Sequence, residues 1–320
     1  MPKKRLFLID GNSFCYRAFY AIRSLSNSKG QPTNAIYGFN SMLGKIIKDE
    51  KPDMLAVAFD LKGQTFRHKK FDEYKIHRKP MPDDLVSQMS YIKQLVQAHN
   101  IPIYEMQGYE ADDVLATLAK KAEDKDIETF IVTGDKDALQ LVDSHIKVYS
   151  THKEGLIYDA HKVKEIYGVG PDKVTDIMAL MGDATDNIPG VKGIGEKSAI
   201  ELIGEFGSLE GLYKNIDKVK SDAKKKILTE GKESAYLSKE LASVDTDVPI
   251  DIDFKELELK EPDQARLLEL YKELEFKSLL KSLTPAEKLK SEYILVDDEK
   301  AFNELVAGLK RSKEFVFDTE

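Results

Sequence analysis

Three short apolar runs in the first 135 residues each lead directly to an aspartate. Residues 6–9, 54–59 and 130–133 are typical of parallel strands buried on both faces, and they precede Asp10, Asp60 and Asp135. In an open α/β sheet the ligand crevice lies beyond the carboxyl ends of the strands, so we expect the three acids to converge. At ~4 Å and an effective dielectric constant near 20, each like-charge pair costs about 4 kcal/mol, so a divalent cation is expected among them.

Further acids lie where helices are predicted to begin. Glu110, Asp112 and Asp113 stand at the start of a helical repeat, where the backbone dipole favours anions, so helix capping alone is one interpretation. The strand-end acids in the same topology favour metal binding instead. Asp137 follows the third strand and adds a further carboxylate.

The order of predicted elements indicates two domains. Helical patterns over residues 13–23, 34–47 and 83–99 alternate with the strands, and residues 101–104 form a further short strand. This order predicts an α/β domain over residues 1–168. Beyond residue 168 short helices are punctuated by glycine, which predicts a helical domain over residues 169–283 that includes a helix over 265–280.

A glycine-rich turn in the second domain is typical of a phosphate site. Gly190, Gly193 and Gly195 permit a tight hairpin with open amides directly before a predicted helix, and Lys192 and Lys197 add positive charge. Most glycine-rich turns are only turns, but this one follows two more acids, Asp183 and Asp186.

Basic residues are concentrated in one segment. The net charge of −8 argues against a polyanionic partner when taken alone, but residues 62–79 hold seven Lys or Arg against two acids. Apolar periodicity is lost over residues 61–81, which predicts a long mobile segment; a solvated loop with no function is the alternative. The single cysteine, Cys15, excludes an intrachain disulfide and a cysteine-rich zinc site, and no stretch has membrane-spanning length.

The last residues have a separate pattern. A polar linker near residues 283–291 precedes a predicted strand over 292–296, a helix over 300–309 and a strand over 314–320. A strand–helix–strand piece without further strands buries its apolar faces poorly, so we expect loose or dimer-stabilised packing here.

Seven motifs, in order, resemble the 5′-nuclease domain of bacterial DNA polymerase I, from the family of structure-specific 5′ nucleases that includes flap endonucleases. They are Leu8-Ile-Asp-Gly11, Val57-Ala-Phe-Asp60, Phe66-Arg-His68, Tyr74-Lys-x-x-Arg78, Gly108-Tyr-Glu-Ala-Asp-Asp113, Thr133-Gly-Asp-Lys-Asp137 and Gly182-Asp-x-x-Asp-Asn-Ile-Pro-Gly-Val-Lys-Gly-Ile-Gly195. The resemblance covers roughly residues 5–283. Residues 284–320 are similar to a linker and the truncated beginning of the adjoining 3′–5′ exonuclease-like domain, with Asp318 and Glu320 in its first metal motif.

The resemblance implies a fold and a metal centre. The fold is a PIN-like α/β domain with a mostly parallel central sheet flanked by helices, followed by a helical domain with a helix-hairpin-helix (helix-three-turn-helix) at residues 187–203. Two Mg²⁺ or Mn²⁺ ions are implied, since oxygen-only ligands suit hard cations. The first ion would be held by Asp10, Asp60, Glu110, Asp112 and Asp113, and the second by Asp135, Asp137, Asp183 and Asp186.

The resemblance also implies a substrate. Residues 62–82 would form an arch for the 5′ strand, with Lys75 and Arg78 as catalytic cations and with Tyr74, Arg17 and Arg67 on DNA. The hairpin residues Gly190, Lys192, Gly193, Gly195 and Lys197 would hold duplex DNA, with K⁺ bound there. The implied substrates are 5′ flaps, nicks and 5′ ends, RNA-primed ends included. The implied protein is a monomer in the bacterial cytoplasm, at the nucleoid, with polymerase domains in cis and no membrane partner.

Two other classes of function fit parts of the pattern. One is a nucleic-acid binding module that has lost catalysis, which the complete set of acids disfavours. The other is a single-strand ribonuclease of the toxin type on a related fold. Those small domains lack a glycine hairpin, and this chain has one.

Overall fold

The computed structural model describes residues 3–151, 155–283, 295–312 and 314–315. The chain forms two compact units, Met1–Lys277 and Ser278–Glu320. The first unit carries every residue of the predicted metal centre. No helix in the described ranges is both long and apolar enough to cross a membrane.

The first unit is built on a sheet whose order, in the described residues, is β3-β2-β1-β4-β5-β6. All neighbours are parallel except β6, which pairs antiparallel with β5. Asp10 lies opposite Ala58, and Ile9 lies opposite Val132, so β1, β2 and β4 end level with one another. The strands are β1 (Arg5–Asp10), β2 (Met54–Ala58), β3 (Ile103–Tyr104), β4 (Glu128–Thr133), β5 (Ile146–Ser150) and β6 (Ile157–Tyr158).

Helices pack against the strands because successive side chains point to opposite faces of the sheet. Leu6 and Leu8 pack with the helix α5 (Ala111–Glu123), while Phe7 stacks on Phe130 at a ring-centroid distance of 4.7 Å.

The α-helices are α1 (Gly11–Ala21), α2 (Asn34–Glu50), α3 (Phe66–Lys70), α4 (Asp83–Ala98), α5 (Ala111–Glu123), α6 (Ala160–Tyr167), α7 (Val174–Met181), α8 (Glu196–Phe206), α9 (Leu209–Lys214), α10 (Asp222–Glu230), α11 (Lys232–Ala242), α12 (Gln264–Glu273), α13 (Lys277–Leu283) and α14 (Glu299–Leu309). Short 3-10 helices span Asp137–Leu141, Pro171–Lys173 and Ile216–Lys218.

The helical part of the unit surrounds the glycine hairpin between α7 and α8. Val191 and Ile194 are buried beneath it. Gly190 has a φ of +61°, and a Cβ there would lie 2.4 Å from the Gly182 nitrogen. Only glycine fits this close backbone crossing, which fixes the approach of the turn to α7.

A C-terminal clasp, residues 243–276, returns from the helical part to the sheet. In the described part of the chain, β3 pairs with two residues of β2, Val57 and Ala58. The rest of that edge is covered by the clasp, because Leu55 N donates to Leu257 O (2.9 Å) and Leu259 N donates to Asp53 O (3.0 Å). The sheet edge is therefore completed by residues about 200 positions later in the chain.

Two sequence expectations for this end of the chain need correction. The single helix expected over 265–280 is two helices, because Glu275 adopts φ 59° and Phe276 N bonds to Tyr271 O (2.9 Å), which ends α12. The helix expected over 300–309 is present as α14. Neither described part of the two expected strands, residues 295–296 and 314–315, is extended in a sheet, and the remainder, with Asp318 and Glu320, lies outside the described residues.

Candidate metal centre and nucleic-acid interface

A cleft of about 820 Å³ opens at the carboxyl ends of β1, β2 and β4. It gathers acids from five separate parts of the sequence. The lining acids are Asp10, Asp60, Glu110, Asp112, Asp135, Asp183 and Asp186. The half-buried Asp137 is adjacent, since its carboxylate oxygen lies within 4.8 Å of those of Asp183 and Asp186. Eight of the nine acids predicted as ligands are thus brought together.

Asp10 is held in the cleft by hydrogen bonds from two neighbours. Its Oδ1 accepts from Ser13 N (2.9 Å) and its Oδ2 accepts from Thr133 Oγ1 (2.8 Å). Thr133 Oγ1 in turn accepts from Asp135 N (3.1 Å), so one hydroxyl links Asp10 with the loop that carries Asp135. Burial, together with the charges of Asp60 and Asp135, raises the pKa of Asp10 to about 6 despite these hydrogen bonds.

Asn12 orients Asp60, a role that the sequence interpretation missed. Asn12 Nδ2 donates to Asp60 Oδ2 (2.9 Å), and Asp60 N donates to Asn12 Oδ1 (3.2 Å). The other carboxylate oxygen of Asp60 accepts from Ala111 N at the start of α5 (2.7 Å). The signal was present, because Asn12 follows Asp10 by two residues and therefore lies at the same strand end.

The first turn of α5 supplies two acids with different surroundings. Burial, followed by the charges of Asp10, Asp135 and Asp60, raises the pKa of Asp112 well above its usual range. Glu110 instead receives the ammonium of Lys75, whose Nζ lies 2.9 Å from both carboxylate oxygens. Lys75 Nζ also lies 3.5 Å from Asp186, so this cation stands between acids of the two predicted ligand sets.

The second set of acids comes from two loops. Asp135 and Asp137 follow β4, and Asp135 Oδ1 accepts from Asp137 N (2.9 Å). Asp183 and Asp186 lie in the turn after α7, where Asp183 Oδ1 accepts from Thr185 N (2.6 Å). Burial, and then the charges of Asp135, Asp183 and Asp186, raise the pKa of Asp137 to about 8.

These residues fit a pair of hard divalent cations. All eight donors are carboxylates, which suit Mg²⁺ or Mn²⁺, and neither an imidazole nor a thiolate is among them. Burial first, and then the charges of the neighbouring carboxylates, raise the pKa values of Asp10, Asp112 and Asp137, so a bound cation would favour their charged forms. Additional positive charge is what this cleft is built to receive.

The sequence interpretation made Asp113 a metal ligand and Arg67 a DNA contact, but the two residues pair with each other inside the protein. Asp113 is fully buried and forms a two-pronged ion pair with Arg67 at 2.7 Å, and its oxygens also accept from Glu110 N and Asp245 N. Its oxygens are therefore used by protein groups, which contradicts a role as a metal ligand. Arg67 is only 3% exposed and also donates to Leu241 O and Ser243 O, which contradicts a role in contacting DNA.

The basic segment 62–82 does not stand open as an arch. After α3 it folds back through turns onto the cleft, where Lys75 N donates to Asp186 O (2.9 Å) and Asn187 Nδ2 donates to Glu73 O (2.8 Å). Tyr74 is 3% exposed with its hydroxyl on Glu110 (3.2 Å), so the expected contact with a base is contradicted. Arg78 remains on the lining of the cleft, as does Arg17 on α1.

The glycine hairpin divides into a buried and an exposed half. Gly190 is buried, its amide donates to Ser238 Oγ (2.8 Å) and its carbonyl accepts from Ser234 Oγ (2.6 Å), so it is a packing residue and not a DNA contact. The other four predicted residues, Lys192, Gly193, Gly195 and Lys197, are exposed beside the start of α8. That half has the amides and the charge for a phosphate.

Gln140 is a second residue that the sequence interpretation missed. Its Nε2 donates to Asp137 O and to Ala242 O, both at 2.9 Å. Its Oε1 accepts from Val244 N (3.0 Å) and from Thr175 Oγ1 (3.2 Å). One side chain thus joins the loop of Asp137 to the helical part. No local sequence pattern predicts this role, because the other three partners lie 35 to 104 residues away.

Comparisons with known proteins agree with this architecture. The model of the 5′–3′ exonuclease N-terminal resolvase-like domain matches residues 5–168, and that of the 5′–3′ exonuclease C-terminal SAM fold matches residues 169–265. DNA polymerase I of Caldicellulosiruptor bescii is 46% identical over 91% of this chain, and that of Bacillus subtilis is 45% identical over 88%. The chain spans about a third of the length of these relatives, 35% and 32% respectively.

A solved structure shares the fold at low identity. A variant of the bacteriophage T5 flap endonuclease, solved as a pseudo-enzyme–product complex with DNA and metal ions, has a TM-score of 0.63 and 20% identity. The match covers 88% of this chain and 98% of that one. With both family domains matched in order across most of its length, the chain belongs to the 5′–3′ exonuclease family.

Proposed function

We propose that this chain is a Mg²⁺-dependent, structure-specific 5′ nuclease that hydrolyses phosphodiester bonds of DNA at 5′ flaps, nicks and 5′ ends. The observation that carries the proposal is the convergence of eight carboxylates on one cleft, with Lys75 between the two sets. The expected products carry a 5′-phosphate and a 3′-hydroxyl.

The acids have the arrangement that such a reaction requires. Two bound divalent cations supply charge neutralisation, an activated water and stabilisation of the leaving oxygen. Asp10, Asp60, Glu110 and Asp112 would hold one ion, and Asp135, Asp137, Asp183 and Asp186 the other. Thr133 and Asn12 keep Asp10 and Asp60 oriented, so that little rearrangement accompanies metal binding.

The cations of the cleft would act on the substrate phosphate. Lys75 Nζ reaches carboxylates of both sets, so a substrate phosphate bound in the cleft would lie within its reach. Arg78 lines the same cleft and adds charge that stabilises a phosphate as negative charge develops on it.

The exposed half of the hairpin would hold the duplex. Lys192, Lys197 and the amides before α8 suit backbone phosphates and carry no base-reading groups, so binding would be independent of sequence. K⁺ is proposed at the same turn. The exposed charge of Lys192 and Lys197 supports the duplex assignment.

The biological setting is proposed from the relatives. Two relatives at 45–46% identity are DNA polymerase I, so we propose a role in primer removal and excision repair with polymerase domains in cis. The nuclease part would act as a monomer in the cytoplasm.

The test is cleavage of a labelled 5′ flap by the purified chain, with Mg²⁺ or Mn²⁺ and with EDTA as the control. We expect cleavage near the base of the flap in Mg²⁺ or Mn²⁺ and an intact flap in EDTA. If folded protein binds the flap but leaves it intact with both metals, the chain is a binding module and the proposal is wrong. If it cleaves single-stranded RNA and no flap, the ribonuclease alternative is correct.

A further inference from the structure

An exposed aromatic side chain stands on the wall of the acid cleft. Tyr20 is 67% exposed and lines the cleft, together with Tyr16 one turn earlier on α1. The two rings are nearly parallel, at 16°, with centroids 6.4 Å apart. The exposed ring of Tyr20 is therefore open to a ligand that occupies the cleft.

Packing fixes the orientation of this ring. Tyr20 meets Phe19 edge to face at 5.2 Å and an interplanar angle of 80°. Phe19 is half-buried, so it holds one edge of Tyr20 while the rest of the ring stays open to solvent. A tyrosine ring binds flat partners at low entropic cost, because it has only two side-chain torsions to order.

The distance from the acids suits a nucleic-acid strand. α1 begins at Gly11, directly after Asp10, so Tyr20 lies about 14 Å further along the helix axis. Successive nucleotides of a stacked strand are ~3.4 Å apart, so Tyr20 reaches a base about four nucleotides or fewer from a phosphate at the acids.

The charged side chains around Tyr20 indicate which kind of ligand the cleft would bind. Arg17 and Arg78 line the same cleft and attract phosphates, while the acids exclude an apolar peptide. A nucleobase joined to a phosphate chain satisfies both the ring and the arginines, and stacking on an aromatic ring does not depend on base identity.

We propose that Tyr20 stacks on an unpaired base of the cleaved strand and so makes the enzyme prefer flapped over nicked DNA. The proposal rests on the 5′-nuclease function above and names the residue that sets its substrate preference. Stacking of one base contributes ~1–3 kcal/mol, which corresponds to roughly a 5- to 150-fold change in affinity.

The experiment measures flap and nick binding in EDTA by fluorescence anisotropy, so that cleavage does not interfere. The variants are Tyr20→Ala, Tyr20→Leu, Tyr20→Phe and Tyr20→Trp, with Tyr91→Ala as the matched control outside the cleft. We expect the Ala and Leu variants to weaken flap binding roughly 5- to 150-fold and to leave nick binding unchanged. The Phe, Trp and Tyr91→Ala variants should bind as the parent does.

Single abasic residues placed along the flap locate the contact. At one position the abasic residue should weaken flap binding by the parent protein by the same factor as the Tyr20→Ala substitution does. The same abasic residue should not weaken flap binding by the Tyr20→Ala variant any further. Equal losses on flap and nick, or no such position, would overturn the proposal. Cleavage of the flap by the parent protein in Mg²⁺ is scored separately: stacking without cleavage refutes the nuclease function, and cleavage without a Tyr20 effect refutes the stacking.

Discussion

Lys75 has a left-handed backbone conformation, which is unfavourable for a residue other than glycine. Its φ of 57° lies in the left-handed region, which costs a non-glycine residue about 1–2 kcal/mol. The cost is offset by the hydrogen bond from Lys75 N to Asp186 O (2.9 Å) and by the ion pair with Glu110. The backbone at this residue is therefore shaped to place an ammonium among the acids.

Replacing Asp135 by asparagine tests whether this carboxylate is one of the metal ligands. We expect Mg²⁺-dependent flap cleavage by Asp135→Asn to fall at least about 100-fold, since even the partners of metal ligands are worth about 10- to 100-fold. Flap binding in EDTA should be retained, because no DNA contact is removed. Single-turnover cleavage and anisotropy measure the two effects.

Asp126→Asn is the matched control, because Asp126 is an exposed acid paired with Lys3 away from the cleft. It should cleave as the parent does. Unchanged turnover of Asp135→Asn would remove that residue from the metal centre.

Replacing Arg67 separates a buried structural role from a DNA contact. Arg67→Met leaves the Asp113 carboxylate buried without its partner, which should lower the free energy of unfolding by about 3–5 kcal/mol. The control variant Lys70→Met removes an exposed ion pair with Glu240, and it should change the free energy of unfolding by less than about 1 kcal/mol. Urea unfolding gives both values. An Arg67→Met protein of parental stability with weakened DNA binding would restore the DNA role.

At the residue scale, the sequence predicts the acids that follow strand ends but not the partners they find. Asp10, Asp60 and Asp135 are placed by the topology of a parallel sheet, which a pattern of apolar runs reveals. Asp112 and Asp113 are neighbours on one helix turn, yet one faces the cleft and the other faces Arg67. That difference depends on a partner 46 residues away, which no local pattern contains.

At the scale of elements, periodicity predicts helices well and long-range strand partners poorly. α2, α4 and α14 lie within a few residues of their predicted bounds, because each has an apolar face at helical spacing. The clasp was not predicted, since its backbone bonds to Asp53 and Leu55 join residues about 200 apart. The basic segment 62–82 was predicted to be mobile, because it lacks apolar periodicity. In the structure Arg67 and Lys75 instead pair with the buried Asp113 and the half-buried Glu110.

The packing of α12 on α2 and α4 gives an element-scale prediction for pH. Burial lowers the pKa of His99, at the end of α4, to about 4, while its Nε2 and the Tyr271 hydroxyl both contact Asn40 Oδ1 at 3.1 Å. The unfolded chain protonates near 6.5, so the folded state binds fewer protons below that value. The contribution of His99 to the free energy of unfolding should be fully present above pH 6.5, and the free energy of unfolding should fall by about 3 kcal/mol as the pH drops to 4.

The His99→Gln variant isolates this contribution, because glutamine keeps a donor for Asn40 and does not titrate. Urea unfolding at intervals from pH 7 to pH 4 should give a shallower decline for the variant than for the parent protein. Parallel declines would mean that His99 does not contribute.

At the scale of the molecule, residues 1–277 form a single compact unit in spite of their two family domains. Arg67, Gln140 and Lys75 each bond across from the α/β part to the helical part or its loops. The acid cleft belongs to both parts, since Asp183 and Asp186 come from the helical part.

Truncation tests that dependence. A chain ending at Ala242 lacks the clasp, which exposes the edge of β2 and removes the buried Leu257, Leu267 and Leu270. We expect it to lose its cooperative thermal transition, measured by circular dichroism. A chain ending at Leu283 is the control and should melt as the full chain does. A cooperative transition at the parental temperature in the shorter chain would show that the clasp is dispensable.

The clasp also sets an order of events during synthesis. A nascent chain emerges from the ribosome with its N-terminus first, so Asp10, Asp60 and Asp135 are exposed long before residues 257–259 can reach the edge of β2. Until then the start of β2 keeps unpaired backbone groups, which are a template for association with other chains. Residues 1–242 are therefore translated before the clasp, and this compact unit reaches its finished shape only after residue 276 has left the exit tunnel.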